Sequence, residues 1–399
     1  MRTRTKLLWI ALLYFAQGLP FGIFNDCIPV YLRAHGVGLA QIGFFSLLGL
    51  PWSVKVLWSP LVDRFGRFSA WIASALIALG LTCLLLPALD PSQPGALLLL
   101  LLLGLTIASA TQDVAIDAYS IGLLEPREVG TANGIRVTAY RVALIVGGGG
   151  IIALAETVAW SNLFRAAGVL FFILACVSLL APTPMKRTEE RRQIIRPLAT
   201  WLRRPAAPAV LLFVLLYKLG DAAMGPMVKP FWVDRGIGLL EIGTISTTLG
   251  VLATIGGALL GGWLTSRIGI FRALWILGLF QAVSNLIYAG VAYLDLARSA
   301  IYAASLFESF SAGLGTAAFL AFLMSICERE HAATQYALLS ALFGLTRSVA
   351  GGFSGWGTEH LGYGAYFGVT FLLALPAYAL LPWVGRYLRA AVGETQPGT

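Results

Sequence analysis

Charge is what this chain has least of. Only 12% of its 399 residues are Asp, Glu, Lys or Arg, against 58% hydrophobic. A soluble chain carries about 25% charged residues to cover its surface, so a polytopic membrane protein is expected. Histidine is nearly absent too. His35, His331 and His360 fall near predicted helix ends, and no His-Glu-x-x-His occurs, so zinc-enzyme ligand spacing is lacking. The four cysteines (Cys27, Cys83, Cys176, Cys327) are scattered without a Cys-x-x-Cys pair, which indicates neither a disulfide framework nor a zinc site. No Gly-Lys pair exists anywhere, which removes the phosphate-binding loop of an ATP-driven pump. No filter-like loop suggests a channel. The expectation is therefore a protein that is no enzyme and needs no metal or cofactor. The net charge of +9 could point to nucleic acid, but most Lys and Arg lie in short loops on one side of the expected membrane. That is a topology signal, and no nucleic-acid partner is expected.

Apolar length is what the chain has in abundance. Runs of about 17–25 apolar residues can cross a bilayer, and twelve are read: about 7–33, 41–62, 68–88, 95–124, 129–156, 160–181, 207–233, 240–264, 270–291, 297–325, 331–358 and 363–386. The first follows basic residues as a signal peptide would, but it continues past Ile28 without a small-residue cleavage site, so an uncleaved span is expected. Pro20, Pro29, Pro51, Pro226 and Pro230 are candidate kinks. One loop side carries Arg2, Arg4, Lys6, Arg64, Arg67, Arg127, the segment Lys186 to Arg204, Arg267, Arg272, Arg329, Arg386 and Arg389. The other has only Arg33, Arg165, Arg235 and Arg298. Both termini are expected in the cytoplasm.

The polar stretch 183–205 divides six spans from six, giving an expected N-terminal bundle (1–182), a cytoplasmic linker and a C-terminal bundle (206–399). The chain repeats itself across it. Gly36-Val-Gly-Leu-Ala-Gln-Ile-Gly43 matches Gly236-Ile-Gly-Leu-Leu-Glu-Ile-Gly243, each joining the first and second spans of its half, and Asp63-Arg-Phe-Gly66 falls opposite Ser266-Arg-Ile-Gly269. An all-α protein of twelve helices in two pseudo-symmetric six-helix bundles is expected, and this resembles the major facilitator superfamily (MFS). Ser59 to Arg67 resembles that superfamily's gating turn between spans two and three. Asp63 can accept hydrogen bonds, Gly66 permits the turn, and Arg64 and Arg67 can meet anionic lipid. Glycine clusters at Gly147–Gly150, at Gly256, Gly257, Gly261 and Gly262, and at Gly351, Gly352 and Gly355 suit close helix packing at the seam between halves.

Charges inside the spans carry the mechanistic expectation, because ionisable groups at that depth are costly and are paired or functional. Thr111 to Arg141 holds Asp113, Asp117, Arg136 and Arg141 around the turn Glu125-Pro126-Arg127-Glu128. Counting outward from that turn brings Asp117 level with Arg136 and Asp113 level with Arg141, so two rungs of opposite charge are expected. Asp26, Lys55, Lys218, Asp221, Lys229, Glu308 and Arg347 complete the set. A carboxylate whose cation moves between two conformations changes its proton affinity, which can couple a proton gradient to transport. Glu308 is the first candidate proton carrier, followed by Asp221, Asp113 and Asp117. Permanent ion pairs between helices are the competing reading. Arg141, Arg136, Lys55, Arg347 and Lys218 are candidate contacts for an anionic solute, with Gln112, Tyr140, Gln17 and Asn25 as neutral partners. Snorkelling or interhelical bonding would also explain the neutral ones.

Phe15-Ala-Gln-Gly-Leu-Pro20, Ile42-Gly-Phe-Phe-Ser-Leu-Leu-Gly49, Lys55-Val-Leu-Trp-Ser-Pro-Leu-Val-Asp63, Gln112-Asp-Val-Ala-Ile-Asp117 and Gly130-Thr-Ala-Asn-Gly134 resemble one MFS branch. It contains AmpG-type muropeptide permeases, acetyl-CoA transporters and related siderophore-uptake permeases. The likeness is specific over roughly residues 12–150. AmpG-type permeases usually carry two further helices, which a twelve-span chain lacks. The resemblance implies proton-driven import of a bulky, polar, anionic organic molecule by a protein expected to be monomeric, with the solute, protons and the bilayer as its partners. A proton-independent facilitator is the milder alternative, and a membrane-embedded enzyme the more distant one.

Overall fold

The computed structural model describes residues 2–182, 207–327 and 332–393. The expected linker at 183–205 and Arg329 lie outside the described residues. All regular structure among the described residues is helical. The spanning helices are α1 (Thr3–Ala34), α2 (Leu39–Leu57), α3 (Phe68–Ala88), α4 (Ala96–Leu123), α5 (Val129–Leu154), α6 (Trp160–Leu179), α7 (Ala207–Asp234), α8 (Leu239–Ile268), α9 (Ile270–Tyr293) and α10 (Arg298–Ser325). The eleventh apolar stretch lies within a helical run, Ala332–Gly393, that Gly362 breaks with φ 73°. That break gives α11 (332–361) and α12 (363–393), and so the twelve spans read from hydropathy, with edges moved by a few residues.

The repeat seen in the sequence recurs in backbone conformation. Gly36 and Gly236, ending α1 and α7, have φ of 82° and 65°, and Gly66 and Gly269 have 77° and 81°. Each sits in the left-handed region that only glycine enters without a side-chain penalty. Matching residues therefore make matching turns in both halves.

Helical irregularity follows proline only in part. Pro20 cannot donate to the Ala16 carbonyl, and just beyond it α1 widens into a π-helical turn at Ile23–Cys27. By contrast, helix continues through Pro226 and Pro230 (Leu219–Asp234), and α7 is interrupted at Lys218 instead. Two further π-helical turns occupy Ile145–Gly150 in α5 and Ile242–Leu249 in α8. Such turns often mark functional positions.

Two compact units emerge from the packing. The first comprises the described residues up to 182 together with Lys229–Thr248, and the second comprises 207–228 and the described residues from Leu249 onward. Within the first, the glycine run of α5 faces a different neighbour at each position. A Cβ on Gly147 would lie 2.6 Å from the Leu19 carbonyl oxygen, one on Gly148 2.8 Å from Asp26 Oδ2, and one on Gly149 2.7 Å from the Gly243 oxygen. Glycine lets three backbones meet there. In the second unit Gly261 does the same for α8 against α10, where a Cβ would sit 2.7 Å from the Leu314 oxygen.

Candidate functional site

Helix α4 supplies the centre. Asp113 and Asp117 lie about one turn apart, so they share a face. Asp113 accepts a hydrogen bond from the Gln17 side-chain amide of α1 and an ion-paired one from Lys55 Nζ of α2 at 2.5 Å. Asp117 accepts from the Tyr14 hydroxyl at 2.6 Å and pairs with Arg136 of α5 at 3.6 Å. The Arg136 guanidinium also lies over the Tyr14 ring, 4.6 Å from its centroid, a favourable cation–π contact. Trp52 Nε1 donates to Ser109 Oγ at 3.3 Å and Trp58 Nε1 to Thr111 Oγ1 at 3.2 Å. Polar ties therefore fasten α2 along α4 on both sides of the Lys55 rung.

One expected rung forms and the other does not. Asp117 meets Arg136, but Asp113 is paired with Lys55 rather than Arg141. The reason is helical phase. Five residues from Arg136 to Arg141 advance about 140° beyond a full turn, so Arg141 leaves the face that Arg136 presents. Among the described residues Arg141 has no ion pair and no side-chain hydrogen bond.

The neutral candidates divide. Gln17 is engaged by Asp113. Gln112 is 0% exposed, and neither amide atom is hydrogen-bonded among the described residues, so it faces the interior of its own bundle. Asn25 donates to the Phe21 carbonyl at 3.1 Å, and Tyr140 packs its ring 6.1 Å from that of Phe21, which in turn meets Trp52 at 5.2 Å.

A second cluster in the same unit was only half legible. Asp26 pairs with Lys229, and Arg33 chelates Asp234 at 2.5 and 2.8 Å. Glu156 accepts from the backbone N–H groups of Leu239 and Leu240 at 2.7 and 3.2 Å, where an anion is favoured at the start of α8. Asp26 and Lys229 are conspicuous as intramembrane charges. Arg33, Asp234 and Glu156 lie at span ends, where charge is ordinary. The signal available for two of them was position, since Arg33 and Asp234 each precede one of the matched glycines, Gly36 and Gly236.

In the second unit Lys218, 4% exposed, donates to Gln281 Oε1 at 2.5 Å and to Asp221 at 3.3 Å, and Glu308 lies within its electrostatic reach. Gln281 Nε2 and Asn285 Oδ1, buried one turn apart on α9, have no hydrogen-bond partner among the described residues. Asn285 Nδ2 donates to Thr370 Oγ1 at 3.1 Å. Glu308 accepts from the Ser309 hydroxyl at 3.4 Å. Arg347, on α11, is also engaged in a polar or electrostatic contact.

At the turn after α2, Gly66 adopts the expected left-handed conformation. Arg64 lies over the Phe65 ring at 5.7 Å, and Arg67 precedes α3 at its N-terminal boundary. The Asp63 side chain lies outside what the structure describes. Near the start of α1, Lys6 pairs with Glu125 and Glu128, both at 2.9 Å, and Thr3 donates to Glu128 at 2.7 Å. The Glu128 carboxylate also accepts from the Glu125 backbone N–H at 3.0 Å. That backbone bond, then Thr3 and Lys6, hold the Glu128 carboxyl down at about 2, and Lys6 lowers that of Glu125.

Charge pairs between neighbouring spans, matched turns and twelve helices define an architecture, and a family model described as "Major Facilitator Superfamily" matches residues 10–350. The chain belongs to the major facilitator superfamily. Within the MFS it is 35% identical over 385 residues to the anhydromuropeptide permease of Escherichia coli (strain K12), covering 93% of this chain and 78% of the permease. The likeness thus extends well beyond residues 12–150. A solved bacterial homologue of the human lysosomal transporter Spinster superposes with a TM-score of 0.81 at 14% identity, covering 98% of each chain. The nucleoside transporter NupG gives 0.74 at 15%, covering 97% of this chain and 99% of its own. At those identities the two structures speak for the fold alone. The protein is a polytopic membrane transporter of the AmpG-like MFS branch, and it is not an enzyme.

Proposed function

We propose that this transporter imports a polar, anionic organic solute of the muropeptide class across a bacterial inner membrane, with both termini cytoplasmic and proton movement as its driving force. The observation that carries the reading is the pair of carboxylates on α4, each ion-paired to a cation on a different helix. Protonating Asp113 would remove its hold on Lys55, and protonating Asp117 would loosen Arg136, so proton binding alters the ties between α4 and two neighbours. Asp113 joins Glu308 as a candidate carrier, because its cation, Lys55, comes from another helix and it also binds Gln17 of α1. The likeness to the E. coli permease supports the solute class, and the one-sided distribution of Lys and Arg supports the orientation.

The test is uptake of a radiolabelled anhydromuropeptide into proteoliposomes under an inward proton gradient. Gradient-driven accumulation that a protonophore abolishes, with at least a tenfold loss in Asp113→Asn, is expected. Equilibration indifferent to the gradient would overturn proton coupling and leave a facilitator.

A further inference from the structure

The ionisable groups at membrane depth in the first unit do not balance. Its carboxylates there are Asp26, Asp113 and Asp117. Its cations there are Lys55, Arg136, Arg141 and Lys229. Each carboxylate is engaged by one cation: Asp26 by Lys229, Asp113 by Lys55, Asp117 by Arg136. Three acids against four bases leave one positive charge, and Arg141 is the residue that carries it. It is half-buried, in the middle third of α5. Arg4 and Arg165, the other cations of the unit's spans without a carboxylate partner among the described residues, are exposed near the ends of α1 and α6, and Arg165 donates to Asn162 at 3.5 Å, so water can solvate both.

A guanidinium cannot shed its proton, and a desolvated charge left unpaired is costly. An anion that the first unit does not itself provide would restore that solvation. Its position on α5 suits contact with a solute. Val137, one turn before it on the same side, is 56% exposed, while Leu144, one turn beyond, is 8% exposed. Arg141 thus stands where an exposed face of the helix gives way to packed interior.

We infer that Arg141 is the residue that reads the negative charge of the solute, holding one carboxylate or other planar oxyanion of it by bidentate hydrogen bonds. Lys55 and Arg136 do not compete for that role, because each is already neutralised within the protein. The solute then restores electroneutrality to the unit, and an uncharged analogue leaves the guanidinium as unsolvated as before. This inference rests on the reading of the protein as an importer of an anionic solute, and it assigns the charge selectivity of that site to a single side chain.

The experiment compares the purified full-length wild type with Arg141→Gln and Arg141→Lys in lipid nanodiscs. Thermal stabilisation is measured with an anhydromuropeptide, with N-acetylmuramate, and with each compound after its carboxylates are converted to amides. The wild type should be stabilised by at least one acid, with apparent affinity at least tenfold above that of its amide. Arg141→Gln should erase that preference while unfolding within a few degrees of wild type without solute, and Arg141→Lys should restore it in part. Acids that stabilise Arg141→Gln as well as wild type would overturn the inference, and so would the absence of any acid-over-amide preference in the wild type. If a variant does not fold, phenylglyoxal labelling of wild-type Arg141, read by peptide mass spectrometry, decides instead: protection by the acids and not the amides supports the assignment, and equal or no protection overturns it. Uptake under a proton gradient is a separate readout, so a muropeptide that binds through Arg141 without being driven inward would sink the coupling reading and leave the charge assignment standing.

Discussion

Lys55 and Asp113 show what an ion pair within a membrane span demands. Each group stabilises the other only while both are present, and removal of either leaves an uncompensated charge that, in buried pairs, costs several kcal/mol, about 3–5. Lys55 and Asp113 are 31% and 17% exposed, so solvent screening should reduce that cost well below the upper figure. Lys55→Met and Asp113→Leu should each lower the melting temperature in detergent. The double variant should melt closer to the wild type than either single one, although it loses proton-driven uptake. Strictly additive losses would show that the pair contributes nothing as a unit. Glu128 gives a prediction with a sign. Its folded pKa of about 2 lies below its ordinary value of 4.5, so its stabilising effect is fully present above about 4.5 and disappears as pH falls toward 2. The melting-temperature gap between wild type and Glu128→Gln should be constant from pH 6 to 8 and close on acidification through that window. A gap that widens on acidification would contradict the assignment.

Elements explain both what the sequence disclosed and what it withheld. Span existence was legible because twenty or so consecutive apolar residues have few other uses. The Asp117–Arg136 rung was legible because both residues count the same distance from the Glu125–Glu128 turn. The Asp113–Arg141 rung was misread because axial level is only half of a helical coordinate. Azimuth decided the partner, and Lys55 arrived on a third helix whose packing no linear count reveals. The π-helical turns were equally hidden, since they depend on what packs alongside. The glycine run of α5 was expected at a seam, and in the first unit it lets Leu19 and Asp26 of α1 and Gly243 of α8 approach one helix from different sides. Gly147→Ala would drive a methyl group into the Leu19 carbonyl, which belongs to backbone and cannot rotate away. Overpacking of this kind costs roughly 1–3 kcal/mol. A measurable drop in melting temperature is expected for Gly147→Ala and none for Gly104→Ala, where nothing lies within 4 Å. Equal effects would refute a packing role for the run.

For the whole molecule, the matched halves are the organising fact. Gly36 with Gly236, and Gly66 with Gly269, bend the chain in the same left-handed sense at equivalent joints. Gly236→Val and Gly269→Val should therefore lower the yield of folded protein as much as Gly36→Val and Gly66→Val do, read by fluorescence-detected size exclusion. A tolerant second copy would mean that the likeness is inherited form without present need. The joints also make the gene fragile in a particular way. A glycine codon reaches alanine, valine, serine, cysteine, arginine, aspartate, glutamate or tryptophan by one base change. Asparagine, the substitute best suited to a left-handed turn, needs two, and at Gly269, with φ 81° and ψ 153°, the backbone suits glycine alone. Drift at these joints is thus steered toward replacements that strain the bend, and repair by the mildest substitute is two steps away.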